Sequence, residues 1–285
     1  MLPDRLLICT DLDRTLLPNG SQPLSEGALE AFSQLVARPE VVLAYVSGRH
    51  RQLVEDAIRE YKLPLPDWVV GDVGTTIYQV RDNSWQHWLE WERDIAAGWN
   101  GLTATDLRTL FNDIPALQLQ EEAKQNRFKL SYYLPMQTDV AAVQAEMTRR
   151  LNERKLPASL IYSIDEAAEI GLLDVLPACA TKLHAVEFMM NHLGFDLNNT
   201  LFAGDSGNDL PVIASQIPSV LVANADHQVI EQAKTLVREQ QTEAAFYLAK
   251  GGFLGMNGNY SAGILEGVAH YFPEIQSWLE INHAQ

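Results

Sequence analysis

Asp11 and Asp13 stand two residues apart, immediately after the apolar run of residues 5–10. Two carboxylates so placed can divide the labour of cleaving a phosphate ester: one attacks phosphorus, and the other protonates the leaving alcohol and then activates water. A carboxylate that attacks a dianionic phosphate meets like-charge repulsion, so this chemistry needs a hard cation held by oxygen ligands, with Asp11 and a distant acid such as Asp205 sharing it. The stretch Gly204-Asp205-Ser206-Gly207-Asn208-Asp209 packs two acids, an amide and two glycines into six residues, which suits a tight metal-binding loop. Each feature also fits a blander role. Asp-x-Asp is a common strand end and turn, and the second stretch would serve equally as a surface turn. Ser47, followed by Gly48 and Arg49, offers a hydroxyl and a backbone N–H where phosphate oxygens can be held, or simply caps a helix. Lys182 opens a helix-like stretch and can offset phosphoryl charge, or sit solvated on the surface.

These residues matter together only if the fold brings them to one edge, because ligands of open α/β sheets bind beyond the carboxyl ends of the strands. Apolar runs predict strands at 5–10, 41–46, Trp68 to Gly71, Thr200 to Ala203 and Ser219 to Val222, with a further strand after Gly74. Helical spacing predicts helices at 25–37, capped by Ser25, and at 50–62, 182–193, Asp209 to Ala214 and Ser261 to Tyr271. The alternation implies right-handed crossovers in a parallel sheet, hence a doubly wound α/β core. From about Asn83 the chain turns polar and Trp-rich, so an inserted α+β domain is placed at 81–177, leaving 1–80 and 178–285 as the core. Trp85, Trp88 and Trp91, at spacing three, fit either one packed helix face or a surface for stacking sugars.

The 285 residues include 37 acidic and 21 basic side chains, a formal charge of −16 with no basic run. That balance excludes nucleic acid and anionic membranes as main partners, and a phosphate-bearing substrate must be met by local cations and a metal. Cys9 and Cys179 lie beside apolar stretches and offer neither a disulfide framework nor a thiolate metal site, which fits a reducing cytoplasm. No stretch of about 18 apolar residues and no signal-like segment is present, so a soluble, unexported protein is expected.

Taken in order, Asp-x-Asp-x-Thr, Ser-Gly-Arg, Lys and Gly-Asp-x-x-Asn-Asp resemble the four motifs of the haloacid dehalogenase superfamily of phosphatases, and the insert between the second and third resembles the type-II cap of its subclass IIB. Within it, the stretches Ala44 to Arg49, Val73 to Tyr78, Phe128 to Leu134, Leu173 to Pro177 and Ser261 to Glu266 are similar to the sucrose-phosphate phosphatase family. The resemblance implies Asp11 as nucleophile and Mg²⁺ ligand, and Asp13 as general acid/base with its carbonyl on the metal. Asp205 would complete the protein ligands, and Asp209 would act from behind, orienting a water or Lys182. Ser47, Gly48, Lys182 and Asn208 would hold phosphoryl oxygens, with Arg49 on the substrate side. Sugar recognition would fall to the cap, with Lys129, Ser131 and Tyr132 as candidates. A small sugar phosphate is the implied substrate, sucrose 6-phosphate first and mannosylfructose, glycosylglycerate or trehalose phosphates as alternatives, and a sugar-phosphate synthase the protein partner. A phosphomutase-type transferase and a non-catalytic regulatory module are the remaining alternatives. The chain departs from the family pattern at Arg14, at Lys182-Leu183-His184-Ala185, where a glycine is expected after the lysine, and in the longer Gly-rich stretch from Gly251 to Gly258.

Overall fold

The computed structural model describes residues 4–82, 84–165 and 168–279; Asn83, where the change of character was expected, lies outside the described residues. Two compact units separate, Met1–His87 with Lys182–Gln285, and Trp88–Thr181.

The larger unit is built on an eight-stranded sheet. Its strands are β1 (Leu6–Thr10), β2 (Val41–Val46), β3 (Trp68–Gly71), β4 (Thr76–Arg81), β5 (Ser84–His87) and, after the insert, β10 (Thr200–Gly204), β11 (Ser219–Leu221) and β12 (Phe246–Leu248). The order is β12-β11-β10-β1-β2-β3-β4-β5, parallel from β12 to β3, with β4 and β5 added antiparallel at one edge. β1 is the switch point: the chain winds outward from it through β2 and β3, and returns to its other side through β10, β11 and β12. Such a point leaves a crevice at the carboxyl ends of the central strands.

Burial on both faces explains why β1 and β10 read as unbroken apolar runs. Leu6 and Ile8 join one core cluster with Phe32 and Leu35 of α1 (Ala28–Val36) and Ile264, Leu265 and Val268 of α9 (Ser261–Tyr271). The alternate residues Leu7, Cys9 and Phe202 are equally buried. Each such aliphatic side chain contributes about 1.5–3 kcal/mol on leaving water. α9 lies close against β11: a Cβ on Gly267 would come 2.6 Å from Cβ of Val220. The remaining α-helices of this unit are α2 (Arg51–Tyr61), α6 (Lys182–Leu193), α7 (Leu210–Ile213), α8 (His227–Gln240) and α10 (Gln276–Leu279).

The smaller unit holds an antiparallel sheet in the order β6 (Gln118–Leu119), β7 (Leu130–Pro135), β9 (Ile170–Pro177), β8 (Ala158–Asp165). It also contains α3 (Leu89–Ala96), α4 (Ala104–Arg108) and α5 (Val140–Glu153). α5 is capped by Asp139, whose carboxylate accepts the N–H of Ala142 at 3.0 Å.

Several expectations are corrected. Ser25 does not cap α1, which starts after Gly27 at φ 73°; its hydroxyl instead accepts the N–H of Asn257 in the Gly-rich stretch. The three tryptophans share no helix face, because Trp85 lies in β5, Trp88 precedes α3, and only Trp91 is in that helix, fully buried. The segment after Asp205 opens as a 3₁₀ turn, Gly207–Asp209, before α7. The expected edges of the insert, 81 and 177, differ from those observed: β5 pairs with β4 and so extends the larger sheet to His87, and residues 178–181 group with the smaller unit. No helix among the described residues is long and apolar enough to cross a membrane.

Candidate active site

The register of the central strands brings the motifs together. β1 pairs with β10 so that Thr10 lies opposite Ala203, and the N–H of Asp11 donates to the Ala203 carbonyl at 2.9 Å. Asp11 and Asp205 therefore emerge at the same edge, from adjacent parallel strands. Lys182, the first residue of α6, reaches the same point. Its buried ammonium donates to Oδ1 of Asp11 at 2.8 Å, Oδ1 of Asp209 at 2.7 Å and Oδ1 of Asn208 at 3.1 Å.

Asp209 is fully buried and both of its oxygens accept hydrogen bonds. Beyond Lys182, its Oδ2 accepts from the N–H groups of Asp205 and Ser206 and from the Ser206 hydroxyl, each at 3.1 Å. Gly204 is a steric requirement of this arrangement, since a Cβ there would lie 2.6 Å from Cβ, Cγ and Oδ2 of Asp209. Gly204→Ala is expected to lose about 1–3 kcal/mol of stability through this overlap. Urea unfolding checks it, and an unchanged midpoint would mean that Asp209 can move aside freely.

Electrostatics set these groups apart. Burial pushes Asp11 up to about 7; Lys182 pulls it back, while Asp209 and Asp205 push it further up. Burial and the neighbouring Asp209 raise Asp205 to about 6, against the Thr15 hydroxyl and the charges of Arg14 and Lys182. Burial alone would lower Lys182, but the charges and hydrogen bonds of Asp11 and Asp209 outweigh it and hold the lysine above its ordinary range. The lysine is thus the fixed charge, and Asp11 and Asp205 take up protons more readily than ordinary carboxylates.

Asp13 sits in a different environment. Arg49 grips it with two bonds, Nε to Oδ2 at 2.8 Å and Nη2 to Oδ1 at 2.6 Å, and Asn19 donates to Oδ1 at 2.7 Å. Partial burial pushes this carboxyl up, but Arg49 and Asn19 together prevail and leave it below its ordinary range. Arg49, expected on the substrate side, is committed here to Asp13 and, through Nη1, to the Leu53 carbonyl at 3.2 Å.

Ser47 is buried, and its N–H is unavailable, because it donates to the Val70 carbonyl at 2.9 Å. Its oxygen accepts the N–H of Arg49 at 3.2 Å. Nothing lies within 4 Å of the place a Cβ would take on Gly48. Asn208 turns its amide oxygen to Lys182 and to the Ser206 hydroxyl, whose single proton it shares with Asp209, leaving its NH₂ for another acceptor. Lys129 belongs to the smaller unit, where it is buried immediately before β7; in that strand the Ser131 hydroxyl donates to Asp174 at 2.5 Å.

Sequence reasoning did not single out Asn19, Asn224 or Asp226, which brace the loop around Asp13 and Arg14. Thr15, present only as a motif letter, donates its hydroxyl to Oδ1 of Asp205 at 3.1 Å.

Asp11, Asp205 and Asp209 bring ligand oxygens within 4.8 Å of one another. Three carboxylates face one buried lysine, with Arg14 3.6 Å from Asp205 but shared with Asp226, and all the donors are hard oxygens, which fits a divalent cation such as Mg²⁺. Both oxygens of Asp209 already accept hydrogen bonds, whereas Asp11 and Asp205 each have one taken by Lys182 or Thr15 and one to spare.

The chain matches the family model described as sucrose-6F-phosphate phosphohydrolase over residues 4–272. It is 50% identical to a protein of Nitrosococcus oceani that carries only a general HAD-like hydrolase name, over 98% of this chain and 75% of that one. It is 32% identical to sucrose-phosphatase 1 of Nicotiana tabacum over 80% of this chain, and the match spans about half of the tobacco protein, 52%. Among solved structures it is similar to the sucrose-phosphatase of Synechocystis sp. PCC6803 in complex with sucrose and phosphate. There the TM-score is 0.70 at 25% identity, covering 94% of this chain and 98% of that one.

Proposed function

We propose, starting from the fact that the chain belongs to the sucrose-6F-phosphate phosphohydrolase family, that it hydrolyses a small sugar phosphate, sucrose 6-phosphate in the first place, through a phosphoenzyme on Asp11. The observation that carries this reading is the buried Lys182 ammonium shared by Asp11, Asn208 and Asp209, beside Asp205, at the carboxyl ends of β1 and β10.

An oxygen of Asp11 attacks phosphorus, the bond from phosphorus to the sugar oxygen breaks, and Asp13 in its acid form gives that oxygen its proton. In the second half, Asp13 as carboxylate takes a proton from water as the water oxygen attacks phosphorus, and the acyl phosphate splits to inorganic phosphate and free Asp11. Arg49 favours the ionised form of Asp13, which is the form the second half uses. Lys182, giving up its bond to Asn208, together with the Ser47 hydroxyl, the Gly48 N–H and the Asn208 NH₂ binds the phosphoryl oxygens and sets the leaving oxygen in line with Asp11. Asp11, Asp205 and the Asp13 carbonyl would hold Mg²⁺, which would supply the positive charge that offsets repulsion between carboxylate and phosphate. The reading pairs the enzyme with a cytoplasmic sugar-phosphate synthase that makes its substrate, and assigns the sugar to the smaller unit, with Lys129, Ser131 and Tyr132 as candidate contacts.

Phosphate release from sucrose 6-phosphate, mannosylfructose phosphate, a glycosylglycerate phosphate and trehalose 6-phosphate, with and without Mg²⁺, tests the reading. Strongly Mg²⁺-dependent release, fastest with sucrose 6-phosphate, is the expected result. Preference for another member would keep Asp11's role and change the substrate. No release from any of them would overturn the phosphatase reading.

A further inference from the structure

Arg14 is the one charged side chain of the nucleophile loop that the proposed chemistry does not use. Its backbone is left-handed, φ 58°, which a residue other than glycine adopts only when its surroundings hold it there. They do so from both sides: its N–H donates to Oδ1 of Asn19 at 2.8 Å, and its carbonyl accepts from Nδ2 of Asn224 at 2.6 Å. The far end of the guanidinium is anchored away from the metal site. Nη1 and Nη2 donate to the two carboxylate oxygens of Asp226 at 3.4 and 3.3 Å, and Nη2 also reaches the Asn224 carbonyl at 3.3 Å.

The near end is not satisfied. Nε of Arg14 is buried without a hydrogen-bond partner, and it stands 3.6 Å from Oδ2 of Asp205, too far for a hydrogen bond. The other Asp205 oxygen already accepts the Thr15 hydroxyl. The oxygen that Asp205 has to spare for a metal is therefore the one that Arg14 attends.

We propose that Arg14 is a resident counter-charge of the metal site, sharing Oδ2 of Asp205 with the incoming cation and so weakening the hold on that cation, while Asp226 keeps the guanidinium from closing on the same oxygen. This rests on the reading that Asp11 and Asp205 hold a divalent cation. Two cations claiming one oxygen repel each other, so removing the guanidinium charge strengthens cation binding. Removing its anchor weakens it, because Arg14 is then free to move onto Asp205. Arg14 acts here as a positioning residue, and the opposite signs expected at Arg14 and Asp226 are what a general loss of structure would not produce.

The test is Mg²⁺ titration of the full chain without substrate, read by calorimetry and by the rise of the unfolding midpoint with added Mg²⁺. Arg14→Gln is expected to lower the half-saturating Mg²⁺ concentration about three- to tenfold, and Arg14→Lys, which keeps the charge, to stay within about twofold of the unaltered chain. Asp226→Asn is expected to raise it about two- to fivefold, and to lose that effect in the Arg14→Gln background. Unchanged or weaker binding in Arg14→Gln, or tighter binding in Asp226→Asn, overturns the proposal. If Arg14→Gln does not fold, Asp226→Asn decides alone, since Asp226 is 65% exposed and makes no side-chain cap bond to α8. The absence of any Mg²⁺ response in the unaltered chain overturns the metal reading, and this proposal with it, whereas a response that Arg14→Gln leaves unchanged overturns this proposal alone.

Discussion

Asp11→Asn is expected to lower kcat by about 10⁴-fold or more while leaving the protein folded. Asparagine matches the shape of aspartate and still offers Oδ1 to the Lys182 ammonium, but it cannot form the acyl phosphate. Stability should not suffer, because holding Asp11 ionised among Asp205 and Asp209 is unfavourable in the absence of metal. A carboxyl raised in the folded state binds its proton more tightly there than in the unfolded chain. The stability it contributes is thus complete below the unfolded value near 4, and it is lost as the pH rises through the folded value. For Asp11 at about 7 and Asp205 at about 6, the metal-free protein should become less stable between about pH 4 and pH 7. Asp11→Asn should flatten that slope. Calorimetric unfolding in chelator across the range, together with turnover of sucrose 6-phosphate in Mg²⁺, checks both halves. Substantial turnover in a preparation shown by mass spectrometry to retain asparagine would remove Asp11 from the nucleophile's role.

Lys182→Met is expected to damage both activity and folding, which sets it apart from Asp11→Asn. The methionine fills similar volume but strips three acceptors of their shared donor, leaving Asp11 and Asp209 buried without their cation. Breaking a buried pair in this way typically costs about 3–5 kcal/mol, or on the order of 10 °C in the unfolding midpoint for a domain of this size. Lowering the pH through about 7 should recover part of the loss, because Asp11, no longer held down by the lysine, then takes up a proton. Mg²⁺ should recover part of it near neutral pH by supplying charge at the same place. Turnover should fall about 10²–10³-fold, the usual effect of losing one donor to a developing oxyanion. A variant as stable as the unaltered chain in chelator at neutral pH would mean that Lys182 does not carry the charge balance of the site.

The legible parts of the fold were those whose physics is local. β1, β2 and β10 are buried on both faces, so they had to be continuous apolar runs, and each ends abruptly in polar residues at the edge where ligands bind. α9 was readable to the residue from its small and apolar face. The elements that escaped notice carry weaker patterns. α8 buries little beyond Ala233 and Val237, β12 is three half-buried residues, and β8 is a largely exposed edge strand. The tryptophan spacing suggested a helix because period alone cannot reveal that β5 ends and α3 begins between Trp85 and Trp91.

The sequence by itself determined which groups are available for chemistry: an Asp-x-Asp at a strand end, a Ser-Gly-Arg at another, a helix-opening lysine and a Gly-Asp-x-x-Asn-Asp turn. It determined the need for glycine at 204 only as a motif letter; the 2.6 Å approach of Asp209 supplies the reason. What each group is free to do was decided by tertiary structure alone. Asp13 is held by Arg49 across 36 residues, Asp11 by Lys182 across 171, and Arg14 by Asp226 across 212. None of these separations leaves a trace in local pattern, because each depends on strand register and on where a long side chain finds its partner. Two engaged oxygens on Asp209, a spare oxygen on Asp205 and a guanidinium 3.6 Å from it are products of that register.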